Sequence, residues 1–392
     1  MINFDKNKYL PYGKQKITRS DISAVVRTLK SNFLTQGPKV PQFEENLSKI
    51  VESKYAVAVN SATSALHIAC LALDLKKGDR LWTSPISFVA SSNCALYCGA
   101  IVDFVDINPR SGLIDENLLE KKLETAALKK ELPKVIVPVH LAGTSCNMEK
   151  IYKLSNKYNF KIIEDASHAL GGEYKNQPIG NCKYSHITVF SFHPVKIITT
   201  GEGGIATTNS SFLAKKMTEL RSHGINKNES EFFSKEEGLW HYEQINLGFN
   251  YRLSDIHAAL GISQLKRLRK IIEERNKILK IYKSLGKNLK ISFLEIPEDC
   301  KSAVHLGIIK LNTDDPEEHK KIFKNMRMKN IGVQLHYIPI HTHPFYKKLG
   351  FKYGDFPQSE IYAKKAMSLP LFPGLNKKNQ MQVINYLKDL IK

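Results

Sequence analysis

Four stretches of this 392-residue sequence set chemically capable side chains just where short apolar runs end. In Phe160-Lys-Ile-Ile-Glu-Asp165-Ala-Ser-His168-Ala-Leu-Gly-Gly172 an apolar run closes on a carboxylate, followed by an imidazole. In Val189-Phe-Ser191-Phe-His193-Pro-Val-Lys196 a proline stops the pattern and one lysine follows, ahead of a Thr- and Gly-rich run to Gly204. Val59-Asn-Ser-Ala62-Thr63-Ser-Ala65 is a hydroxyl-rich turn into an apolar helix, and Ser84-Pro-Ile-Ser-Phe88-Val-Ala90 offers an aromatic ring. In open α/β sheets ligands collect at the carboxyl ends of strands, so all four stretches are candidates for one site.

Together these residue types suit pyridoxal 5'-phosphate. That cofactor needs an amine whose pKa falls on desolvation, which Lys196 offers. Its ring nitrogen needs a carboxylate partner to stay protonated, and Asp165 is the strand-end acid. Its phosphate needs backbone N–H groups at a helix N-terminus plus hydroxyls, as at Ala62, Thr63 and Ser191. Its ring face needs an aromatic, and Phe88 is the candidate. Singly, each has a plainer role. Ser and Thr are ordinary helix caps, Asp165 suits a cap, His168 a satisfied loop position, and Phe88 the core.

The surrounding pattern supplies the elements that must position them. Thr18-Arg-Ser-Asp21 reads as a capping box opening a helix through Leu29. Strands are expected at 56–59, 80–83, 100–104, 135–140, 161–164 and 187–190. Helical patterns intervene at 65–73, 90–98, 117–129 and 148–158. The alternation predicts an α/β fold with a largely parallel sheet. From Ser254 an apolar stripe runs through Ile256, Leu260, Leu265, Ile271 and Ile278, predicting one long linking helix to about Leu285. Beyond it, strands at 305–311 and 333–337 and helices at 316–329 and 377–391 form a smaller α+β unit. Residues 1–253 and 254–392 are the expected large and small domains.

Composition narrows the function classes. The formal charge is +20, but the lysines are scattered in pairs and build no continuous tract. That reads as solvated faces, with room for a local basic cleft, so no nucleic-acid partner is expected. No apolar run approaches the roughly 20 residues that span a bilayer. Met1-Ile-Asn-Phe-Asp-Lys-Asn7 has no apolar leader, so a cytoplasmic protein is expected, without a membrane. The six cysteines form no C-x-x-C pair, although Cys94 and Cys98 are helix neighbours. Free thiols in a reducing compartment and no metal are expected.

The sequence resembles, over nearly its whole length, the fold type I, pyridoxal-phosphate-dependent sugar-nucleotide aminotransferases of the DegT/StrS type. The matching stretches are Leu34-Thr-Gln-Gly37, Asn60-Ser-Ala-Thr-Ser-Ala65, Pro85-Ile-Ser-Phe-Val-Ala90, Ser167-His-Ala-Leu-Gly171 and Lys196 with Gly201-Glu-Gly-Gly204. Arg221-Ser-His-Gly224, Asn250-Tyr-Arg-Leu253, Ala259-Leu-Gly-Ile-Ser-Gln-Leu265 and His336-Tyr-Ile-Pro-Ile340 complete the set. The Ser-His pair and the His-Tyr-x-Pro-Ile run are closest to the branch serving pseudaminic acid synthesis.

The resemblance implies transfer of an amino group from glutamate to a UDP-linked 4-keto-6-deoxy-N-acetyl hexose. The product would be UDP-4-amino-4,6-dideoxy-N-acetyl-β-L-altrosamine; another C-3 or C-4 keto sugar, dTDP- or GDP-linked, is the alternative. It makes Lys196 the Schiff-base lysine, Asp165 the ring-nitrogen partner, and His168 a polar neighbour of the ring hydroxyl. Ala62, Thr63 and Ser191 would hold the phosphate, with Asn250 reaching in from a neighbouring subunit, so a homodimer is implied. Tyr12, Asn32, Phe33, Leu34, Thr35, Arg252, Leu335, His336, Tyr337 and Ile338 would surround the sugar nucleotide. Asn32-Phe33 departs from the longer polar residues often found there. Residues 226–244 match no motif and read as a surface excursion rather than a cover. A family dehydratase would carry His in place of Lys196.

Overall fold

The computed structural model describes residues 9–234, 237–313 and 315–391, so the Met1–Asn7 stretch considered above lies outside them. The capping box forms. Asp21 accepts the Thr18 backbone N–H at 2.8 Å and its hydroxyl at 2.9 Å, opening α1 (Arg19–Leu29). Helix α2 (Lys39–Val51) follows, with no cap of its own. Its N-terminus is instead satisfied by the distant Asp255 carboxylate, which accepts N–H groups of Gly37 at 2.7 Å and Lys39 at 2.6 Å.

Next come β1 (Tyr55–Val59), α3 (Ala62–Ala72), β2 (Arg80–Thr83), α4 (Ala90–Tyr97) and β3 (Ile101–Phe104). Helix α3 starts three residues before the expected point because the Ser61 side chain caps it, accepting from the Ser64 N–H at 3.1 Å. The chain continues through α5 (Glu116–Lys129), β4 (Val135–Val137), α6 (Met148–Tyr158) and β5 (Lys161–Asp165). A small hairpin, β6 (Glu173–Tyr174) and β7 (Gln177–Pro178), precedes β8 (Ile187–Ser191), β9 (Gly204–Thr208) and α7 (Ser211–Leu220).

These strands make a seven-stranded sheet in the order β1-β9-β8-β5-β4-β2-β3. It is parallel except at β9, which runs antiparallel to both of its neighbours. Successive residues of β4 serve opposite faces: Val135 and Val137 join the core under α3, α4 and α7, and Ile136 joins the one under α5 and α6. Helices on both faces are what a parallel sheet requires.

The described residues between 226 and 244 form an excursion rooted by β10 (Ile225–Asn226) and β11 (Glu243–Gln244). Its Phe233, Leu239 and Trp240 are exposed.

Two expectations are corrected. The long helix is broken into α8 (Asp255–Leu265) and α9 (Leu268–Leu285). The break falls where Arg267 is pulled onto the buried Asp21 at 2.6 Å, with Ser263 and Gln264 donating to the same carboxylate. The two halves also bury different faces: α8 packs between α1 and α2, whereas α9 buries the stripe Leu268, Ile271, Arg275, Ile278 and Tyr282.

The remainder comprises β12 (Ile291–Phe293), β13 (Cys300–Lys301), β14 (Gly307–Leu311), α10 (Pro316–Met328), α11 (Pro344–Lys348), α12 (Pro357–Lys365), β15 (Ala366–Leu369) and α13 (Lys377–Leu390). Here the second correction applies: 333–337 is not a strand. Gln334 alone pairs with Ser368, through bonds of 3.3 and 2.7 Å, and β15 takes the place beside β14. Strand β13 pairs with β6.

All six cysteines are free, and among the described residues no group of side chains is arranged to hold a metal ion. No described helix is long and apolar enough to cross a membrane.

Candidate active site

The ends of β1, β4, β5 and β8 converge on a cavity of about 500 Å³. Its lining includes Tyr12, Ala62, Thr63, Phe88, Asp165, His168, Ser191, Lys196, Leu335, His336 and Tyr337, all singled out in the sequence.

Lys196 lies on the connection from β8 to β9. That loop is braced by its own threonines: Thr199 Oγ1 donates to the Phe192 carbonyl at 2.9 Å and accepts from the Gly201 N–H at 2.9 Å. The Lys196 backbone N–H donates to His193 at 2.9 Å. Burial drives the amine down to about 8, and Asp165 stands near enough to oppose that fall.

Asp165 is buried at the tip of β5. Ser91 Oγ donates to one carboxylate oxygen at 2.5 Å, the Ser167 N–H to the other at 3.1 Å, and Ser87 lies 2.6 Å behind Ser91. The carboxylate is thus fixed in direction by α4 and by its own strand end.

His168 accepts the Ala142 N–H on Nδ1 at 3.3 Å, which places its own proton on Nε2, 3.1 Å from the Tyr337 hydroxyl. Its ring lies nearly parallel to that of Tyr337, at 20° and 6.1 Å. Burial first, then the charge of Lys196, holds the imidazole well below its ordinary pKa, so it is neutral. His336 is likewise pushed down to about 3 by burial, and its Nδ1 meets Ser368 Oγ at 2.8 Å.

At the start of α3 the Ala62 and Thr63 N–H groups point out of the helix with no partner inside it. A Cβ on Gly204 would collide with the Ala62 backbone nitrogen, so only glycine lets β9 pass this helix end. Phe88 is 60% exposed, with its ring 6.4 Å from Tyr337; it stands in the cavity mouth rather than in the core. A buried amine, an oriented carboxylate, a helix-end anion cup and a flat aromatic face fit pyridoxal 5'-phosphate.

Some candidates lie elsewhere in this chain. Asn250 is exposed, and its carbonyl accepts from Asn60 Nδ2 at 3.5 Å; Arg252 bridges to Val59. Thr35 bridges to Ser254, Leu34 accepts the Asp255 N–H, and Asn32, Phe33 and Ile338 also stand outside the cavity lining. None of the described residues between 226 and 244 lines it either.

Sequence reasoning missed His305, whose ring lies 4.5 Å from His168 and whose buried Nδ1 has no partner, and Ser91 behind Asp165. Ser91 had one usable signal: three helical positions separate it from Phe88, so both belong to the turn that opens α4.

Residues 15–388 match the DegT/DnrJ/EryC1/StrS aminotransferase family. The chain is 40% identical over 387 residues to the UDP-4-amino-4,6-dideoxy-N-acetyl-beta-L-altrosamine transaminase of Campylobacter jejuni, covering 98% of each. It superposes on Helicobacter pylori PseC, an aminotransferase involved in the biosynthesis of pseudoaminic acid, with a TM-score of 0.89 and 33% identity over 98% of this chain and 99% of the other. The PLP form of the putative sugar aminotransferase Spr1654 from Streptococcus pneumoniae gives 0.87 and 28%, over 97% and 98%.

Proposed function

This chain belongs to the DegT/DnrJ/EryC1/StrS aminotransferase family, with a fold type I architecture and dependence on pyridoxal phosphate, and from that premise we propose its substrates and the roles of its residues. The donor is glutamate and the acceptor a UDP-linked 4-keto-6-deoxy-N-acetyl hexose. The product is UDP-4-amino-4,6-dideoxy-N-acetyl-β-L-altrosamine, on a route to pseudaminic acid. The observation that carries the catalytic part is the pairing of a desolvated Lys196 amine with a fixed Asp165 carboxylate in one cavity. The acceptor rests on the Campylobacter jejuni relative.

When bound, the cofactor supplies an electron sink that makes a proton on the amine-bearing carbon removable. Lys196 Nζ, brought to about 8 by burial, would be the base that takes that proton and returns it two atoms away, across the nitrogen; in reverse, the same transfers would place the amine on the sugar. Asp165 keeps a proton on the ring nitrogen, and its bond from Ser91 prevents it from turning aside. His168, neutral with its proton on Nε2 shared with the Tyr337 hydroxyl, would be the polar neighbour of the ring hydroxyl, its imidazole braced by Tyr337. The Ala62 and Thr63 N–H groups and the Ser191 hydroxyl hold the phosphate.

Asn250 and Arg252, outside this chain's own cavity, are offered to that of a second copy, which makes the working unit a homodimer. Tyr12, Leu335, His336 and Tyr337 line one wall for the sugar nucleotide, with Ile338 just beyond the lining. Residues 32–35 and Arg252 complete it, Arg252 supplying a cation for the diphosphate.

The test is incubation of the purified protein with glutamate and a panel of 4-keto and 3-keto sugars on UDP, dTDP and GDP, with mass and NMR analysis of products. Amination at C-4 of the UDP-N-acetyl sugar is the expected result. Preferential amination at C-3, or of a dTDP- or GDP-linked sugar, would overturn the substrate assignment. Absence of a visible absorbance band that glutamate bleaches would overturn the chemistry.

A further inference from the structure

The cavity wall beside His168 holds a histidine that the roles above leave unused. His305 is buried, lines the cavity, and has its ring 4.5 Å from that of His168. Both residues are tied to one short turn, Leu141–Gly143. The Ala142 N–H donates to His168 Nδ1 at 3.3 Å, and the Ala142 carbonyl accepts the His305 N–H at 2.8 Å. A Cβ on Gly143 would meet the His168 carbonyl oxygen at 3.0 Å and the His305 nitrogen at 3.1 Å, so a side chain there would wedge the two apart. From behind, the buried Arg275 of α9 donates to the His305 carbonyl at 3.2 Å and to that of Leu371 at 3.3 Å. Burial alone moves this guanidinium, down to about 10, so no neighbouring acid cancels its charge.

The imidazole itself is incomplete. His305 Nδ1 is shut in without a partner, which leaves Nε2 as the nitrogen on the edge open to the cavity. A buried N–H is left orphaned more rarely than a bare acceptor, so Nδ1 is the unprotonated nitrogen and the proton sits on Nε2. We propose that His305 receives a carboxylate of the amino donor, donating its Nε2–H to it. The assignment rests on the glutamate chemistry proposed above and names the residue that recognises that substrate.

Three observations favour a carboxylate there. Among the described residues Lys196 is the only lysine or arginine in the cavity lining, and its amine is committed to proton transfer, so the donor's charge must find another partner. The groups that bear on His305 are His168, Lys196, Arg275 and His336, which arrive from separate parts of the chain and are all basic. Burial, with those neighbours adding to it, holds the imidazole well below its ordinary pKa and therefore neutral. On the cofactor, the ring hydroxyl assigned to His168 is adjacent to the carbon that takes the amine, so the residue next to His168 stands by the substituents of the reacting carbon. A neutral donor also suits a site that must serve two substrates. An arginine in the wall would be stranded without a counter-ion when a sugar replaces the amino acid, whereas an imidazole N–H pairs equally with a sugar oxygen. The fixed cation, Arg275, is kept one layer back, bonded to carbonyls.

The experiment uses the full-length protein with its cofactor, labelled with nitrogen-15 histidine, the His305 ring signals being assigned by their loss in His305→Gln. Glutarate, a dicarboxylate with no amine to transfer, should shift the His305 Nε2 resonance saturably, and UDP should leave it in place. Stopped-flow absorbance then follows the two half-reactions separately. His305→Leu should raise the half-saturating glutamate concentration by about 10–100-fold, the worth of one hydrogen bond to a charged group, and cost the sugar half-reaction at least about fivefold less. His305→Gln, which keeps an N–H in place of Nε2–H, should recover most of that loss. Equal losses in the two half-reactions, or a His305 resonance that glutarate does not move, overturn the proposal. The resonance is read on the unaltered protein, so it decides the matter even where His305→Leu does not fold. Failure of glutamate to bleach the visible band would instead remove glutamate as the donor, and the glutarate shift is read independently of it.

Discussion

Replacing Lys196 by methionine should stabilise the cofactor-free protein, and the gain should fade as pH rises. Lys196 sits at about 8 in the folded chain, against an ordinary value near 10.5, with burial as the cause. Its folded-state pKa is lowered, so between those two values the unfolded chain holds a proton that the folded chain has shed. Stability therefore climbs as pH rises through that window, and below about 8 the fold carries the full cost of a buried cation. At pH 7 the cost works out to about 3 kcal/mol, falling to about 1 kcal/mol at pH 10. Methionine has similar length and no charge, so any packing change it brings is independent of pH. Urea unfolding of both proteins without cofactor, at pH 7 and pH 10, should show the advantage of Lys196→Met shrinking by about 2 kcal/mol. A gap of constant size, or one that widens with pH, would show that the amine is not held in a desolvated state and would remove the basis for its acting as the base.

Three further outcomes are expected. Lys196→Ala should abolish turnover while Asp165→Asn lowers kcat by about 10²–10³-fold with an unchanged circular dichroism spectrum, on the scale of losing one fixed transition-state charge. Gly204→Ala should push the start of α3 away from β9 and weaken cofactor binding by about tenfold or more, read by fluorescence titration, because its new Cβ meets the Ala62 nitrogen. Asp255→Ala should cost about 1–2 kcal/mol in denaturant unfolding, since it leaves the first N–H groups of α2 without their acceptor.

The parts of this protein that were legible in its sequence are those whose determinants are local. The β5 run ending in Asp165, the β8 run ending in Ser191 and the Ser61 turn into α3 each carry their apolar pattern, their stop and their polar tip within a few residues. What escaped depends on contacts between distant residues. Helix α2 is capped by a carboxylate more than two hundred positions away, so no local N-cap signal exists. The break between α8 and α9 is made by Asp21 holding Arg267, which an apolar stripe cannot reveal. Residues 335–337 have a strand-like composition, yet pairing with β15 stops at Gln334 and the three residues that follow line the cavity. His305 reaches the site only through the fold, so nothing adjacent in sequence marks it.

The antiparallel insertion of β9 bears on how the molecule comes into being. Strands β8 and β9 are neighbours both along the chain and in the sheet, paired from Thr188↔Thr207 to Ser191↔Gly204. The strap bearing Lys196 therefore closes over residues 192–203 alone, a small loop-closure penalty compared with the longer crossovers that bring β4 beside β2 and β5 beside β4. Pairings of short sequence separation are the ones that close at the least entropic cost, so the lysine's perch depends on its own hairpin more than on the distant crossovers of the sheet.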